Sequence, residues 1–346
     1  MKQTYVIGEI GQNHNGSVEL AKNIIDASIT TIMSHNLGYN PIPVNAVKFT
    51  KRDLTEELTA SEMASPYNSP NSFGKTYGEH RAFLELSDEE HFELYKYAKS
   101  KGLDFIETLC SSGCLSLLTL FTPDKLKVAS RDLTNLPLLA AMAETKIPIV
   151  LSTGMGGVDE LDQALETING YHGDITILHC LSQYPAEFEH INLNSIPFLK
   201  KRYPQYTIGY SDHSIGIMVP VVAAAMGAEV IEKHITLDRT LKGTDQQGSL
   251  APEGIFRMMR DIRNVEKAIG TEAMFINPVV NDAKGKLERS IAANKPIAKD
   301  SIIKEDDLHL LSPGTGFRWS ERNQVIGKKA KTAILKNELI EHDKIK

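Results

Sequence analysis

The chain has 346 residues, 41% hydrophobic and 24% charged, a near-average mix that excludes a disordered chain, a collagen-like fibre and a coiled coil. Its 38 basic and 44 acidic residues leave a net charge of -6, which argues against nucleic acid or anionic lipid as a general partner. Only three cysteines occur (Cys110, Cys114 and Cys180), too few for a disulfide framework and in keeping with a reducing cytoplasm.

In chain order, short β-rich runs alternate with longer helical patterns. The N-terminal apolar run of MKQTYVIGEIG is too short for a signal-peptide core. Its strand, Tyr5–Ile7, precedes an amphipathic Val18–Ile32, with Val18, Ala21, Ile25, Ile29 and Ile32 at helical spacing. Ala46–Phe49 is the second strand, followed after a long loop by a helical Asp88–Lys101. Asp104–Ile106 then leads to Leu115–Phe121, Leu126–Val128 to Leu136–Ala143, and Ile147–Leu151 to Asp159–Ile168. Ile175–Leu178 leads to Leu193–Lys201, Tyr206–Gly209 to Val219–Ala228, and Val230-Ile231 to Pro252–Ala268. The longest uncharged stretch, Ser214–Ala228, contains Pro220 and falls short of the roughly 20 apolar residues that a bilayer requires. A cytoplasmic protein without a membrane span is expected.

About eight strand–helix units predict an α/β fold of the TIM-barrel type. A doubly wound sheet also alternates, but uses fewer units and places a glycine-rich turn after its first strand. One connection, Asp53–Leu86, is rich in Ser, Pro, Asn and Gly and longer than a βα loop needs, which marks it as functional or mobile. After Ala268 the pattern changes to a linker-like Gly270–Asn281. Short β-like runs follow from Lys286, among them Ser290–Ala293 and Ala333–Leu335. The expected division is a barrel over 1–270, a linker over 271–285 and a small β-rich domain over 286–346.

A TIM barrel carries its active site at the C-terminal ends of its strands, and those ends are polar here. The first is Glu9, the second carries Lys48, the third ends in Glu107-Thr108, and the fourth holds Lys127 and Ser130. Beyond them stand Ser152 before Thr153–Gly157, then Ser182 and Tyr184 after His179. Ser211-Asp212-His213, Glu232, His234 and Asp245 complete the set. A strand-end serine alone caps a helix more often than it binds a ligand. A lysine inside a strand needs a counter-charge. Lys48 and Lys127 on even-numbered strands point to a dianion between them, completed by hydroxyls and the Gly154–Gly157 backbone; internal ion pairs are the competing reading. His213 and His234 end neighbouring strands and Glu232 shares their inward face. Such N and O donors suit Mn²⁺, Mg²⁺ or Fe²⁺, with ordinary core histidines as the alternative. Cys110 and Cys114 are expected simply to pack.

Several motifs match a known family. EIGQNHNG (Glu9–Gly16), VKF (Val47–Phe49), FGKTYGEH (Phe73–His80), LSTGM (Leu151–Met155), Tyr184-Pro185, IGYSDHSIGI (Ile208–Ile217) and EKHITLDRTLKGTD (Glu232–Asp245) resemble the sialic acid synthase (N-acetylneuraminate synthase) family. The likeness spans nearly the whole chain, and the tail resembles that family's antifreeze-like (SAF) domain. The resemblance implies metal-dependent condensation of phosphoenolpyruvate with an N-acylmannosamine-type sugar, giving a sialic or related nonulosonic acid and phosphate. It implies Lys48, Thr108, Lys127, Ser130, Ser152, Ser182 and Ser211 as phosphoenolpyruvate ligands, and His213 and His234 as ligands of Mn²⁺ or Mg²⁺. It makes Glu9 the carboxylate that handles water or a proton, places Glu232 beside the metal ligand His234 among the catalytic groups, and makes Tyr184, Asp245 and Asp132 sugar contacts. A homodimer is implied, with the tail of one chain over the barrel mouth of the other.

Three departures, at Ser312, Thr50 and Ser130–Asn135, touch the sugar side, and a fourth, Ser182, is among the phosphoenolpyruvate ligands. Ser312 precedes the tail's Pro313-Gly314 where many relatives carry an acyl-contacting Arg, and Ser182 stands where Asn is usual. Thr50 replaces a Gln, SRDLTN (Ser130–Asn135) replaces a glycine–acid pair, and Asp132 stands for Glu. The alternatives are a synthase of the same phosphoenolpyruvate class acting on another aldose or aldose phosphate, and a non-catalytic sugar- or ice-binding protein.

Overall fold

The computed structural model describes residues 3–29 and 42–346 and divides into two units, Met1–Gly270 and Thr271–Lys346. In the first, eight strands close a parallel barrel in sequence order. They are β1 (Tyr5–Gly11), β2 (Ala46–Lys51), β3 (Asp104–Leu109), β4 (Lys125–Val128), β5 (Ile149–Ser152), β6 (Ile175–Cys180), β7 (Thr207–Asp212) and β8 (Val230–His234). β8 pairs back with β1, setting Glu9 beside His234, while β1 pairs with β2 and sets Glu9 beside Lys48. This is the expected TIM barrel.

Side chains of a strand alternate between faces, and six of the eight barrel strands use the alternation twice. Ile7, Ala46, Ile106, Val150, Leu178 and Val230 point inward and meet as an apolar floor. Two residues further on, the same strands present Glu9, Lys48, Thr108, Ser152, Cys180 and Glu232 to a cavity. The outward positions, such as Val6, Val47, Phe49, Phe105, Leu151 and Ile177, join the main core. Helices cover that face: α1 (Val18–Ile29), for instance, buries Ala21, Ile24 and Ile25.

The strands run further than the apolar runs predict, because their polar C-terminal residues remain in the ladder; Glu9 lies inside β1 and both Glu232 and His234 inside β8. Ile32 of the predicted first helix lies outside the described residues. Leu115–Phe121 is a 3-10 segment, Gly113–Thr119, instead of an α-helix. The Asp53–Leu86 connection holds α2 (Leu54–Glu57), α3 (Ala60–Met63) and α4 (Tyr77–Leu84). α4 starts in a capping box in which Thr76 and Glu79 satisfy each other's backbone N–H, a local signal that its polar composition obscured. Among the described residues no helix is long and apolar enough to cross a membrane.

The second unit begins inside the predicted linker. A 3-10 turn, Pro278–Val280, leads into a helix, Asn281–Leu287, that buries no residue and so has no apolar period to announce it. β9 (Ser290–Ala293) and β10 (Leu308–Leu311) pair antiparallel. Ile334, in the expected run Ala333–Leu335, contributes only an isolated bridge to Ile297. Ile291, Ile303, Phe317, Val325 and Ile340 form a separate small core.

Candidate active site

The cavity at the C-terminal ends of the strands has a volume of about 460 Å³. It gathers Glu9, Lys48, Thr108, Lys127, Ser130 and Ser152 from the first five strands and their loops. Ser182, Tyr184, Ser211, His213, Glu232, His234 and Asp245 come from the last three. Asp132 is the one expected site residue outside this lining. Its carboxylate faces the Arg131 guanidinium at 3.3 Å and Asn135 Nδ2 at 3.4 Å, and Arg131 lines the cavity in its place. Ser312 belongs to the second unit, where its hydroxyl donates to Leu287 O at 2.9 Å.

The two buried lysines differ. Lys48 Nζ sits 2.7 Å from Glu9 Oε2 and 3.9 Å from Glu232 Oε1, and donates to Thr108 Oγ1 at 3.0 Å. Burial works to lower its pKa, but Glu232 and Glu9 together overcome burial and hold the ammonium above its usual value. Lys127 Nζ donates to Ser152 Oγ at 2.7 Å and Val128 O at 2.8 Å, and makes no ion pair among the described residues. Burial therefore pushes its pKa down. An ammonium with only neutral partners in a polar cavity is prepared for an anion. Ser130 Oγ accepts from Gly154 N at 3.0 Å, which ties the β4 and β5 loops together beside it.

Among the carboxylates, burial pushes Glu9 up to about 7 against the pull of Lys48. Burial also opposes ionisation of Glu232, but Lys48 and Lys127 reverse that and hold it below the ordinary range. Ser211 Oγ donates to Glu232 Oε1 at 3.1 Å.

On the other side, the rings of His213 and His234 lie 5.6 Å apart between centroids, and Tyr184 covers His213 at 4.0 Å. His213 Nδ1 is 2.7 Å from Leu181 O, so it carries the proton and leaves Nε2 as a lone-pair donor. Burial lowers the pKa of His234, and its Nδ1 is buried without a hydrogen-bond partner. Two imidazoles at this spacing fit one divalent ion, given metal–nitrogen distances of roughly 2.1 Å. Among the described residues no third His, Cys, Asp or Glu completes a cluster with them. A side cavity of about 240 Å³ adjoins the histidines and Asp245, and Asn71 and Gly248 help to line it.

Three arginines in the lining escaped the sequence reading. Arg52 follows Lys48 and Thr50 at steps of two, a strand period that continues past the apolar run; it pairs with Glu57 and lies 3.7 Å from Glu85. Arg131 pairs with Asp132 and with Glu57 at 3.5 Å. Arg81, on α4, donates to Gln12 Oε1 at 2.6 Å and Tyr77 OH at 2.8 Å, neutral groups both. The long connection thus supplies part of the wall. It also leans on the loop after β8, where Gly243 N donates to Asn71 Oδ1 at 3.5 Å and Lys242 lies over Phe73 at 4.8 Å.

Comparison with known proteins places this cavity in context. Residues 41–274 match the NeuB family and 288–346 the SAF domain. The chain is 33% identical to human N-acetylneuraminate-9-phosphate synthase over 337 residues, covering 97% of this chain and 91% of that protein. It is also 33% identical to N,N'-diacetyllegionaminic acid synthase of Legionella pneumophila, covering 93% and 89%. The crystal structure of an N-acetylneuraminic acid synthetase from Leptospira borgpetersenii superposes with a TM-score of 0.66 at 30% identity, over 82% of this chain and 90% of that one. The closed barrel, its polar strand-end layer and the matches along both units agree, and the chain belongs to the NeuB family, with a SAF domain at its C-terminus.

Proposed function

We propose that this protein condenses phosphoenolpyruvate with the open-chain aldehyde of an N-acylated amino sugar, giving a nonulosonic acid and phosphate. The observation that carries the reading is Lys127, a buried cation hydrogen-bonded only to neutral groups, in one cavity with the imidazoles of His213 and His234. The names of the relatives support the product class, since they include N-acetylneuraminate-9-phosphate and diacetyllegionaminic acid synthases.

The C3 carbon of phosphoenolpyruvate attacks the aldehyde carbon, and the aldehyde oxygen takes a proton to become a hydroxyl. Positive charge develops at C2, water adds there and gives up a proton, and the tetrahedral carbon expels phosphate by C–O cleavage as its new hydroxyl passes its remaining proton to the departing phosphate, leaving the 2-keto acid. Lys127 and Lys48, with the hydroxyls of Thr108, Ser130, Ser152, Ser182 and Ser211, hold the anionic substrate and balance the charge on the departing phosphate. Glu9, raised toward neutrality by burial, holds the water or carries the proton at C2. Mn²⁺ or Mg²⁺ held by His213 and His234 would supply Lewis-acid polarisation of the aldehyde. Tyr184 and Asp245 orient the sugar, and Glu232 keeps Lys48 charged. Fixing both reactants in one closed bowl lowers the entropic barrier.

Arg81 has only neutral partners among the described residues, and we assign it the electron-rich substituent of the acceptor, a phosphoryl group included. A homodimer, in which the C-terminal unit of one chain closes the barrel of the other, completes the proposal; sedimentation should give twice the chain mass of 38.3 kDa. Phosphate release is measured with phosphoenolpyruvate and a panel of N-acylated hexosamines, free and 6-phosphorylated, in the presence of Mn²⁺. Release that requires both partners is expected. Release with simple pentose or tetrose phosphates alone would favour the other synthases of the class.

A further inference from the structure

On β7 and β8 the side chains alternate in register. Ser211 and Glu232 face the cavity, as do His213 and His234 two steps later. Between them the ladder sets Asp212 opposite Lys233. These two side chains form an ion pair with no exposure at all, Lys233 Nζ donating to Asp212 Oδ2 at 2.6 Å. Nothing in the proposed chemistry uses them.

Each partner immediately precedes one of the two histidines, and the pair is tied to the backbone around them. Asp212 Oδ1 accepts from Tyr210 OH at 3.0 Å and from Ser214 N at 3.1 Å. Its other oxygen also accepts from Ser214 Oγ at 3.1 Å, and Lys233 Nζ donates in addition to the Ser214 carbonyl. Ser214 is thus held through its N–H, its hydroxyl and its carbonyl, which fixes the chain on both sides of His213. Asp212 borders the side cavity, yet both its oxygens are engaged. If strand cohesion alone were needed, apolar side chains would serve as well, because removing two charges from water largely cancels their attraction. What an apolar pair lacks is direction. A carboxylate and an ammonium with every oxygen and most protons assigned permit one arrangement of the two strand ends.

We propose that Asp212 and Lys233 are positioning residues whose buried ion pair sets the separation and orientation of the His213 and His234 imidazoles, so that both reach a single divalent ion. This inference rests on the metal reading of the two histidines. Groups behind metal ligands commonly change affinity by roughly 10–100-fold when altered.

The test is calorimetric titration of the full-length protein with Mn²⁺, with thermal unfolding recorded alongside. Wild type is expected to bind; Asp212→Asn and Lys233→Met are expected to bind roughly 10–100-fold more weakly. Lys233→Arg, which keeps the charge, is expected to recover most of the affinity. Affinities within about twofold of wild type in folded Asp212→Asn and Lys233→Met proteins would overturn the positioning role and leave a structural ion pair. Should those variants fail to fold, Tyr210→Phe removes one bond to Asp212, and an unchanged Mn²⁺ affinity there would overturn the role equally. A wild-type protein that binds no Mn²⁺ would instead overturn the metal reading, and this inference with it.

Discussion

Across the barrel mouth, the side built from β2 to β5 presents cations, whereas the side built from β6 to β8 presents imidazoles and an aromatic ring. On the first side Lys48 is ion-paired with Glu9, whereas Lys127 hydrogen-bonds only a serine hydroxyl and a carbonyl. On the second side an ion pair lies behind the strands, where Asp212 and Lys233 meet without contact with water. The contrast teaches that one half is prepared to receive charge with the substrate, while the other half is prepared to hold geometry. An anion-binding half should respond to loss or titration of its cation. A half that holds geometry should respond to loss of whatever its fixed donors bind.

The largest effect is expected on the cationic side. Lys127→Met should lower kcat/KM for phosphoenolpyruvate by about a thousandfold, since it removes a charge-assisted contact to a dianion in a water-poor site. Steady-state phosphate release would show it, and an unchanged value would assign the anion elsewhere. On the imidazole side, EDTA should abolish turnover and added Mn²⁺ or Mg²⁺ restore it, while binding of phosphoenolpyruvate measured without metal changes little. Full turnover after exhaustive chelation would remove the distinction between the halves.

A pH profile sharpens the comparison further. The binding form of Lys127 is its cation, and burial depresses its pKa. Raising the pH through that depressed value removes the charge. The free-enzyme profile of kcat/KM for phosphoenolpyruvate should therefore fall on its alkaline side below the ordinary lysine range. Lys127→Arg should shift that fall upward; an alkaline limb indifferent to the substitution would attribute it to another group. The smallest effect is expected at the wall, where Arg81→Met should raise the KM of the acceptor about tenfold and leave that of phosphoenolpyruvate within about twofold. If the phosphoenolpyruvate KM moves instead, Arg81 belongs to the cationic half.

Much of this architecture was legible in the sequence, because β-strand alternation is a strong signal. The step of two from Ile7 to Glu9, from Ala46 to Lys48 and from Val150 to Ser152 marks the floor and the reactive layer in advance. Arg52 obeyed the same step, but it fell beyond the apolar run by which the strand was bounded. Arg81 and Arg131 were not legible, since their places depend on where loops return: Arg81 reaches the cavity because α4 lies against Gln12 of the first loop. Asp132 was chosen by its place in a motif, and its carboxylate turns toward Arg131 and Asn135 instead of the cavity. The solvent-facing helix Asn281–Leu287 escaped for want of an apolar stripe.

The fate of the bridging oxygen tests the proposed reaction most directly. Phosphoenolpyruvate labelled with oxygen-18 between C2 and phosphorus is turned over with an accepted N-acylated hexosamine, and both products are weighed by mass spectrometry. Cleavage of the C–O bond predicts the label in the released phosphate. Label retained at C2 of the sugar acid, with none in phosphate, would contradict the account.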